Sequence, residues 1–254
     1  MAYVAVAGTR LHVQRLGGSG PPLLLVHGLV DSLASYYFTL AGPAVELGFD
    51  VITYDLRGHG RSERTSTGYT IGDAVSDAVG VLDALGVTEP VHLLGYSFGG
   101  TVAFALAELH PERVLDVVVV ESEPPTEAWA ARTVEGLREV ETAIVDEEYL
   151  AGETEIVRKM AAATRQFEAH TGATAELVDP RWLVDADRIA AIRPPVLLVV
   201  GGASDLSTRL DEFVPLLRDC TVAVIPDQEH MLLTYAPREV AEIALPWLHA
   251  RAAP

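Results

Sequence analysis

A serine between two glycines is the clearest candidate for a catalytic nucleophile in this sequence. Ser97 lies in Gly95-Tyr96-Ser97-Phe98-Gly99, after the apolar run 91–94 and before a helical pattern. On so sharp a strand-to-helix turn, side chains two residues before and after the serine would clash, and glycine removes them. The helix N-terminus also favours negative charge that develops beside it. We therefore predict that Ser97 is a nucleophile; the alternative is a glycine-rich turn in which the serine caps the helix.

A serine nucleophile needs a general base, and histidine is the usual one. Of the eight histidines, His230 follows the strand-like run 221–225 and precedes a helical pattern over 236–250. It therefore lies at the carboxyl end of a strand, the edge at which Ser97 emerges. We predict that His230 is the base.

A carboxylate should orient the base through its second ring nitrogen. Asp205 directly follows the strand-like run 196–200, so it lies at the same sheet edge, and we predict it as the acid. Glu121 and Glu123 follow the run that ends at Val120 and are the rival acids.

Acyl transfer also needs hydrogen-bond donors directed at its oxyanion. The N–H of Phe98, directly after the nucleophile, is the first predicted donor. The second is the N–H of Leu29, in the loop 26–30, where Gly28 lets the backbone approach closely and His27 fixes the loop.

Short apolar runs alternate with helical patterns and must position these residues. Strand-like runs occupy residues 23–26, 51–54, 91–94, 115–120, 196–200 and 221–225, after a hairpin pattern over 2–16. Their near-continuous apolarity is typical of strands covered on both faces. A helix over 71–85 begins behind a Thr70 cap with Asp73 three residues on. The alternation predicts an α/β fold with a mostly parallel sheet between helices and ligands at the strands' carboxyl ends.

One long segment lacks strand patterns. From Pro124 to Ala191 the chain has acidic, alanine-rich helical segments. We predict a helical lid over 124–191, inserted in a core formed by 1–123 and 192–254. The alternative is a charged helix bundle that merely extends the fold.

Composition limits the classes of function. The net charge of −18 would repel nucleic acid and anionic lipid surfaces, so we expect a small, neutral substrate and neither nucleic acid nor membrane as partner. Cys220 is the only cysteine, which excludes a Cys-based zinc cluster, and we expect no metal or cofactor.

The apolar runs of the sequence fall short of the roughly 20 residues that a membrane span needs. The first ten residues do not resemble a signal peptide, so we expect a cytoplasmic protein. A homodimer is compatible with the sequence.

With Ser, Asp and His following successive strands in that order, the sequence resembles the α/β-hydrolase superfamily, in its lidded esterase and C–C hydrolase branch. His27-Gly28 resembles the family's oxyanion loop, 55–62 its D-x-R-G-x-G-x-S loop, and 202–205 its G-x-x-D acid turn. The resemblance implies a twisted sheet of eight strands with helices on both faces. It also implies that Arg57 and His59 are structural.

The same resemblance suggests where substrate binds and how the chain departs from the family. The pocket residues it implies, besides Leu29 and Phe98, are Val30, Tyr36 and Met231, with Trp129 or Trp182 from the lid. Such walls favour a neutral, moderately hydrophobic ester, lactone or thioester, cleaved through an acyl-enzyme on Ser97. Two departures stand out: Glu229 replaces the usual glycine before the histidine, and Asp31 adds a charge to the oxyanion loop, although both can equally point to solvent.

Three other functions stay open at this point. The same triad can hydrolyse a C–C bond beside a ketone, or pass the acyl group to an acceptor other than water in a small-molecule tailoring reaction. The alternative that is not an enzyme is a ligand-binding receptor with little turnover.

Overall fold

An eight-stranded, mostly parallel sheet forms the centre of the molecule, with the strands in the spatial order β1-β2-β4-β3-β5-β6-β7-β8. The computed structural model describes residues 2–6, 8–145, 158, 162, 164 and 173–252. The strands are β1 (Ala2–Val6), β2 (Thr9–Leu16), β3 (Pro22–Val26), β4 (Asp50–Tyr54), β5 (Val91–Tyr96), β6 (Val114–Val120), β7 (Val196–Gly201) and β8 (Cys220–Ile225). β2 pairs antiparallel with β1 and β4, and the other pairs are parallel.

The apolar runs of the sequence explain this sheet. Each strand-like run lies within one observed strand, and β1 and β2 form the expected opening hairpin. Every residue of β3, β4 and β5 is buried, as expected for strands covered on both faces. The predicted α/β fold class is therefore confirmed.

Helices cover both faces of the sheet. They are α1 (Ala34–Tyr36), which continues through a π-helical stretch (Tyr37–Ala41) into α2 (Gly42–Glu46), then α3 (Ile71–Ala84), α4 (Phe98–Leu109), α5 (Glu127–Val145), α6 (Ala173–Leu177), α7 (Ala186–Ala190), α8 (Leu232–Tyr235) and α9 (Pro237–Ala252). Short 3₁₀ turns occupy Pro111–Arg113, Pro180–Trp182, Asp205–Thr208, Leu210–Glu212 and Val214–Leu216. None of the described helices is long and apolar enough to cross a bilayer.

The predicted start of α3 is confirmed in detail. Thr70 Oγ1 accepts the N–H of Asp73 at 3.0 Å, and the Asp73 carboxylate accepts the N–H of Thr70 at 3.1 Å. This reciprocal pair satisfies backbone donors that the first helical turn leaves free.

Two apolar cores pack against opposite faces of the sheet. Leu24 points to the face covered by α3 and α4, and Leu23 and Leu25 point to the face covered by α2 and α9. The alternation follows from the two-residue period of a strand.

The described part of the segment between β6 and β7 contains helices joined by irregular stretches. It contains α5, α6 and α7 and the 3₁₀ turn Pro180–Trp182. Residues 146–157, 159–161, 163 and 165–172 of the predicted lid lie outside the described part of the chain. The lid and its boundaries therefore stay a prediction.

Candidate active site

Ser97 stands at the junction of β5 and α4 in a strained backbone conformation. Its φ of 52° lies in the left-handed region that few non-glycine residues adopt. A Cβ on Gly95 would come within 2.6 Å of the N of Gly100, and one on Gly99 within 2.6 Å of the carbonyl O of His27. The glycines flanking the serine are therefore required by close backbone approaches.

His230 lies within hydrogen-bond distance of Ser97. The His230 Nε2 to Ser97 Oγ distance is 3.0 Å, and Nδ1 of the same ring is 3.1 Å from Oε2 of Glu121. The His230 side chain is 52% exposed, whereas that of Glu121 is fully buried. If Nδ1 carries the hydrogen and donates it to Glu121, Nε2 is free to accept a proton from Ser97.

Glu121 is held firmly at the end of β6. One carboxylate oxygen accepts the N–H of Gly201 at 2.6 Å, and the other accepts Ser204 Oγ–H at 2.7 Å besides facing His230. The residue itself has a φ of 51°. A strained backbone and three donors thus fix one carboxylate opposite the imidazole.

The choice of Asp205 as the residue beside His230 requires correction. Asp205 is exposed and begins the 3₁₀ turn Asp205–Thr208, which is capped by Ser204. The turn directs Ser204 inward to Glu121, and within the described residues the carboxylate at hydrogen-bond distance from His230 Nδ1 is that of Glu121. The rival Glu123 is bound instead to Arg132 and Arg209.

The loop after β3 lies against the nucleophile. A Cβ on Gly28 would lie 3.1 Å from Cβ of Ser97, so glycine permits the close approach. His27 Nε2 accepts the N–H of Leu56 at 2.9 Å, which leaves Nδ1 to donate to the carbonyl O of Gly28 at 2.7 Å. Burial lowers the pKa of His27, so this histidine is neutral and holds the loop. Leu29 lines the same cavity as Ser97.

Buried hydrogen bonds hold the loop 55–62 in place beside the site. The buried Asp55 carboxylate accepts hydrogen bonds from His12 Nδ1 at 2.8 Å and from the N–H groups of Leu33 and Arg61 at 2.9 and 2.8 Å. His59 Nδ1 donates to the carbonyl O of Arg57 at 2.8 Å. Burial, and then the neighbouring His27, lowers the pKa of His59 to about 3. These contacts support the structural role expected for the loop.

A cavity of about 670 Å³ opens beside Ser97. Apolar side chains contribute part of its wall: Leu29, Phe98, Trp129, Leu137 and Leu206. Charged side chains also line it: Glu121, Glu123, Arg132, Asp205, Arg209 and Glu229. The cavity is therefore more polar than the sequence suggested.

Of the five pocket residues predicted besides Leu29 and Phe98, Trp129 lines this cavity and the other four do not. Tyr36 is fully buried and donates its hydroxyl to the carbonyl O of Val26 at 2.8 Å. Trp182 covers Gly72 at the start of α3, and Val30 packs against Tyr69 and Ala173. The fourth, Met231, has its sulfur 3.9 Å from the hydroxyl of Tyr96. Each of these four side chains thus packs against, or lies close to, other residues of the protein away from this cavity.

Comparison with known proteins identifies the fold family. The family model for the alpha/beta hydrolase fold matches residues 21–213. The chain belongs to the α/β-hydrolase family. A 2-hydroxymuconate semialdehyde hydrolase from Pseudomonas sp. (strain CF600) is 32% identical over 235 residues, 87% of this chain and 80% of the relative.

Solved structures of other α/β-hydrolases have the same fold as this one. The enol-lactonase from Burkholderia xenovorans LB400 matches with a TM-score of 0.74 and 22% identity, over 97% of this chain and 99% of that one. A thermophilic esterase from Thermogutta terrifontis matches with a TM-score of 0.76 and 23% identity, over the full length of both chains. At such identities the likeness supports the fold alone.

Sequence reasoning missed one contact that holds the histidine of this α/β-hydrolase. Tyr96, directly before the serine, donates its hydroxyl to the carbonyl O of His230 at 2.9 Å. Its ring stacks against the imidazole at 5.7 Å between centroids and an interplanar angle of 28°. The motif leaves the position of Tyr96 variable, so no sequence pattern predicts this contact.

Proposed function

We propose that this α/β-hydrolase cleaves a carboxylic ester, lactone or thioester through an acyl-enzyme on Ser97. One observation carries the proposal: Ser97, His230 and Glu121 form an unbroken series of contacts at 3.0 and 3.1 Å. A serine hydroxyl is a weak nucleophile until a base removes its proton, and this arrangement supplies an oriented base.

The proposed reaction has two halves. Nε2 of His230 takes the proton of Ser97 Oγ as the oxygen attacks the carbonyl carbon, and Glu121 stabilises the imidazolium. The imidazolium then protonates the departing alcohol or thiol, which leaves the acyl group on Ser97. In the second half, the same nitrogen deprotonates a water molecule that attacks the acyl carbonyl and releases the acid.

The N–H groups of Leu29 and Phe98 are the proposed donors to the oxyanion of both tetrahedral intermediates. Support comes from two observations: both residues line the cavity with Ser97, and Gly28 lets its loop approach the serine. Phe98 is also the first residue of α4, where backbone N–H groups are free to bind an anion.

Segment 124–191 is the proposed lid of this cavity. Trp129, Arg132 and Leu137, all on α5, line it. Together with Leu29 on the loop after β3 and Phe98 at the start of α4, the side chains of Trp129 and Leu137 support binding of a moderately hydrophobic substrate.

A fluorophosphonate probe tests the nucleophile directly. We expect the parent protein to be labelled, and we expect no label on Ser97→Ala. Ser122→Ala is a matched control, because Ser122 also lines the cavity but its hydroxyl is bonded to Thr101 Oγ1 at 2.9 Å. A folded parent protein that fails to react would contradict the catalytic proposal.

A second candidate is hydrolysis of a C–C bond beside a ketone with the same triad. Its support is that the relative with 32% identity is named a semialdehyde hydrolase, not an esterase. 4-Nitrophenyl esters of graded chain length separate the two candidates. Turnover near background on every ester, in a protein that the probe labels, would favour C–C hydrolysis.

A further inference from the structure

Three charged side chains form one wall of the cavity beside Ser97. Glu123 lies just after β6 and is buried, Arg132 lies on α5, and Arg209 directly follows the 3₁₀ turn after β7. One carboxylate therefore faces two guanidinium groups, and neither arginine loses its charge at any ordinary pH.

The guanidinium groups of Arg132 and Arg209 differ in how many of their donors have an acceptor. Arg132 binds Glu123 through Nε at 3.3 Å and also through Nη2, and its Nη1 lies 3.6 Å from Glu212. Arg209 has one long contact with Glu123, from Nη2 at 3.4 Å. Its Nε is buried and has no acceptor among the residues that the structure describes. Arg209 lines the cavity with its side chain 23% exposed and is therefore the less fully bonded of the two arginines.

The local balance of charge favours an anion at this wall. At this wall two guanidinium groups face the single carboxylate of Glu123. Glu121, the other buried carboxylate of the cavity, already accepts hydrogen bonds from Gly201 N–H and Ser204 Oγ–H and faces His230, and Glu212 is 52% exposed. Asp205 and Glu229 also line the cavity, but both are exposed, so water screens them. Because Arg209 makes only one long contact with Glu123 and its side chain is 23% exposed, its guanidinium can donate hydrogen bonds to an anionic ligand in the cavity.

A ligand group with one negative charge suits this wall better than a group with two. The planar fork of arginine binds carboxylate and phosphate equally well by shape. Glu123 beside the fork, together with the net charge of −18, disfavours a dianion. The geometry and charge therefore point to a carboxylate.

We infer that the substrate carries a carboxylate away from the scissile carbonyl, and that Arg209, backed by Arg132, binds it. The inference rests on the proposed function, because the carboxylate is defined relative to the bond that Ser97 attacks. The rest of the substrate contacts the apolar walls, so the substrate is mostly apolar with one anionic end.

Matched substrate pairs test this inference. Two pairs place the carboxylate on the acyl side: 4-methylumbelliferyl hydrogen adipate against the hexanoate, and hydrogen suberate against the octanoate. A third pair, 4-carboxybutyl hexanoate against pentyl hexanoate, places it on the leaving group. We expect kcat/KM for the acid-bearing ester to exceed that of its neutral partner by about 10-fold or more in at least one pair.

Substitutions of Arg209 test whether this wall causes the preference for the acid-bearing ester. Arg209→Met should raise KM for the preferred anionic ester by about 10-fold while its neutral partner changes little, and Arg209→Lys should restore part of the preference. Arg251→Met is the charge-matched control, because Arg251 packs on Trp247 at the end of α9. Binding of ethyl hydrogen adipate and ethyl hexanoate to Ser97→Ala, measured by calorimetry, gives the same comparison without turnover.

The outcomes separate this inference from the proposed function. Fluorophosphonate labelling and ester turnover without any preference for a carboxylate would overturn the inference and leave the proposed function standing. An equal loss on both members of a pair in Arg209→Met would also overturn it, since the arginine would then be structural. No labelling and no turnover would overturn the proposed function, and calorimetry would still decide whether the cavity prefers the anion.

Discussion

Glu121 contacts His230 from the end of β6, although the chain pattern favoured an acid after β7. Both positions follow a parallel strand, so both lie at the sheet edge where Ser97 emerges. The sequence cannot distinguish them, because the distinction lies in the turn after β7, which directs Ser204 inward and leaves Asp205 exposed. The longer side chain of a glutamate then spans the distance to the imidazole.

The two acids can be compared by isosteric substitution. We expect Glu121→Gln to lower kcat by roughly 10³- to 10⁴-fold, because an amide no longer stabilises the imidazolium or holds its tautomer. Asp205→Asn, the matched control, should stay close to the parent. Hydrolysis of 4-nitrophenyl butyrate measures both. An equally large loss in Asp205→Asn, with Glu121→Gln near normal, would return the role to Asp205.

Tyr96 is expected to position the base without touching the reacting atoms. Tyr96→Phe keeps the stacked ring and removes the hydroxyl donated to the carbonyl O of His230. One such hydrogen bond is worth about 0.5–1.5 kcal/mol, so we expect kcat to fall about 3- to 10-fold with KM nearly unchanged. Tyr235→Phe, at a 62% exposed tyrosine, should have no effect. An unchanged kcat in Tyr96→Phe would mean that the hydroxyl does not help to position His230 and that only the stacked ring of residue 96 does so.

Strands, nucleophile turn and the start of α3 could all be predicted, because local patterns determine each of them. Apolar runs define the strands, glycines define the turn at Ser97, and Thr70 with Asp73 defines the helix start. The cavity wall could not be predicted in this way. Arg132 and Arg209 are separated by 77 positions in the chain and meet only because both bind Glu123, just after β6.

The loop between β3 and α1 offers a test of close backbone approach. Gly28→Ala would place a methyl group 3.1 Å from Cβ of Ser97. We expect kcat to fall roughly 10- to 100-fold, because displacement of catalytic groups by about 1 Å can cost that much. Thermal unfolding should change far less than kcat.

Gly18→Ala is the control for that substitution, because a Cβ there meets nothing within 4 Å. It should leave both kcat and the unfolding temperature near the parent values. A fully active Gly28→Ala protein would contradict the assignment of this loop to the oxyanion.

Charge and burial together shape the pH response of the whole molecule. The surface is strongly acidic, with a net charge of −18, yet several histidines lie in the interior. Among them, His27 and His59 have pKa values lowered first by burial. Such groups are neutral in the folded protein and take up protons when it unfolds, so acid favours the unfolded state.

For His59 the sign and the pH range follow from its pKa of about 3, against 6.5 for the ordinary side chain. Its stabilising contribution is complete above pH 6.5 and is lost as the pH falls towards 3, with about 2 kcal/mol lost by pH 5. His59→Asn keeps a donor for the carbonyl O of Arg57 but does not titrate. Urea unfolding at pH 7.5 and at pH 5 measures how much the free energy of unfolding falls between the two pH values. We expect this fall to be about 2 kcal/mol smaller in His59→Asn than in the parent. An equal loss of stability in His59→Asn and the parent would mean that His59 becomes protonated in the folded protein.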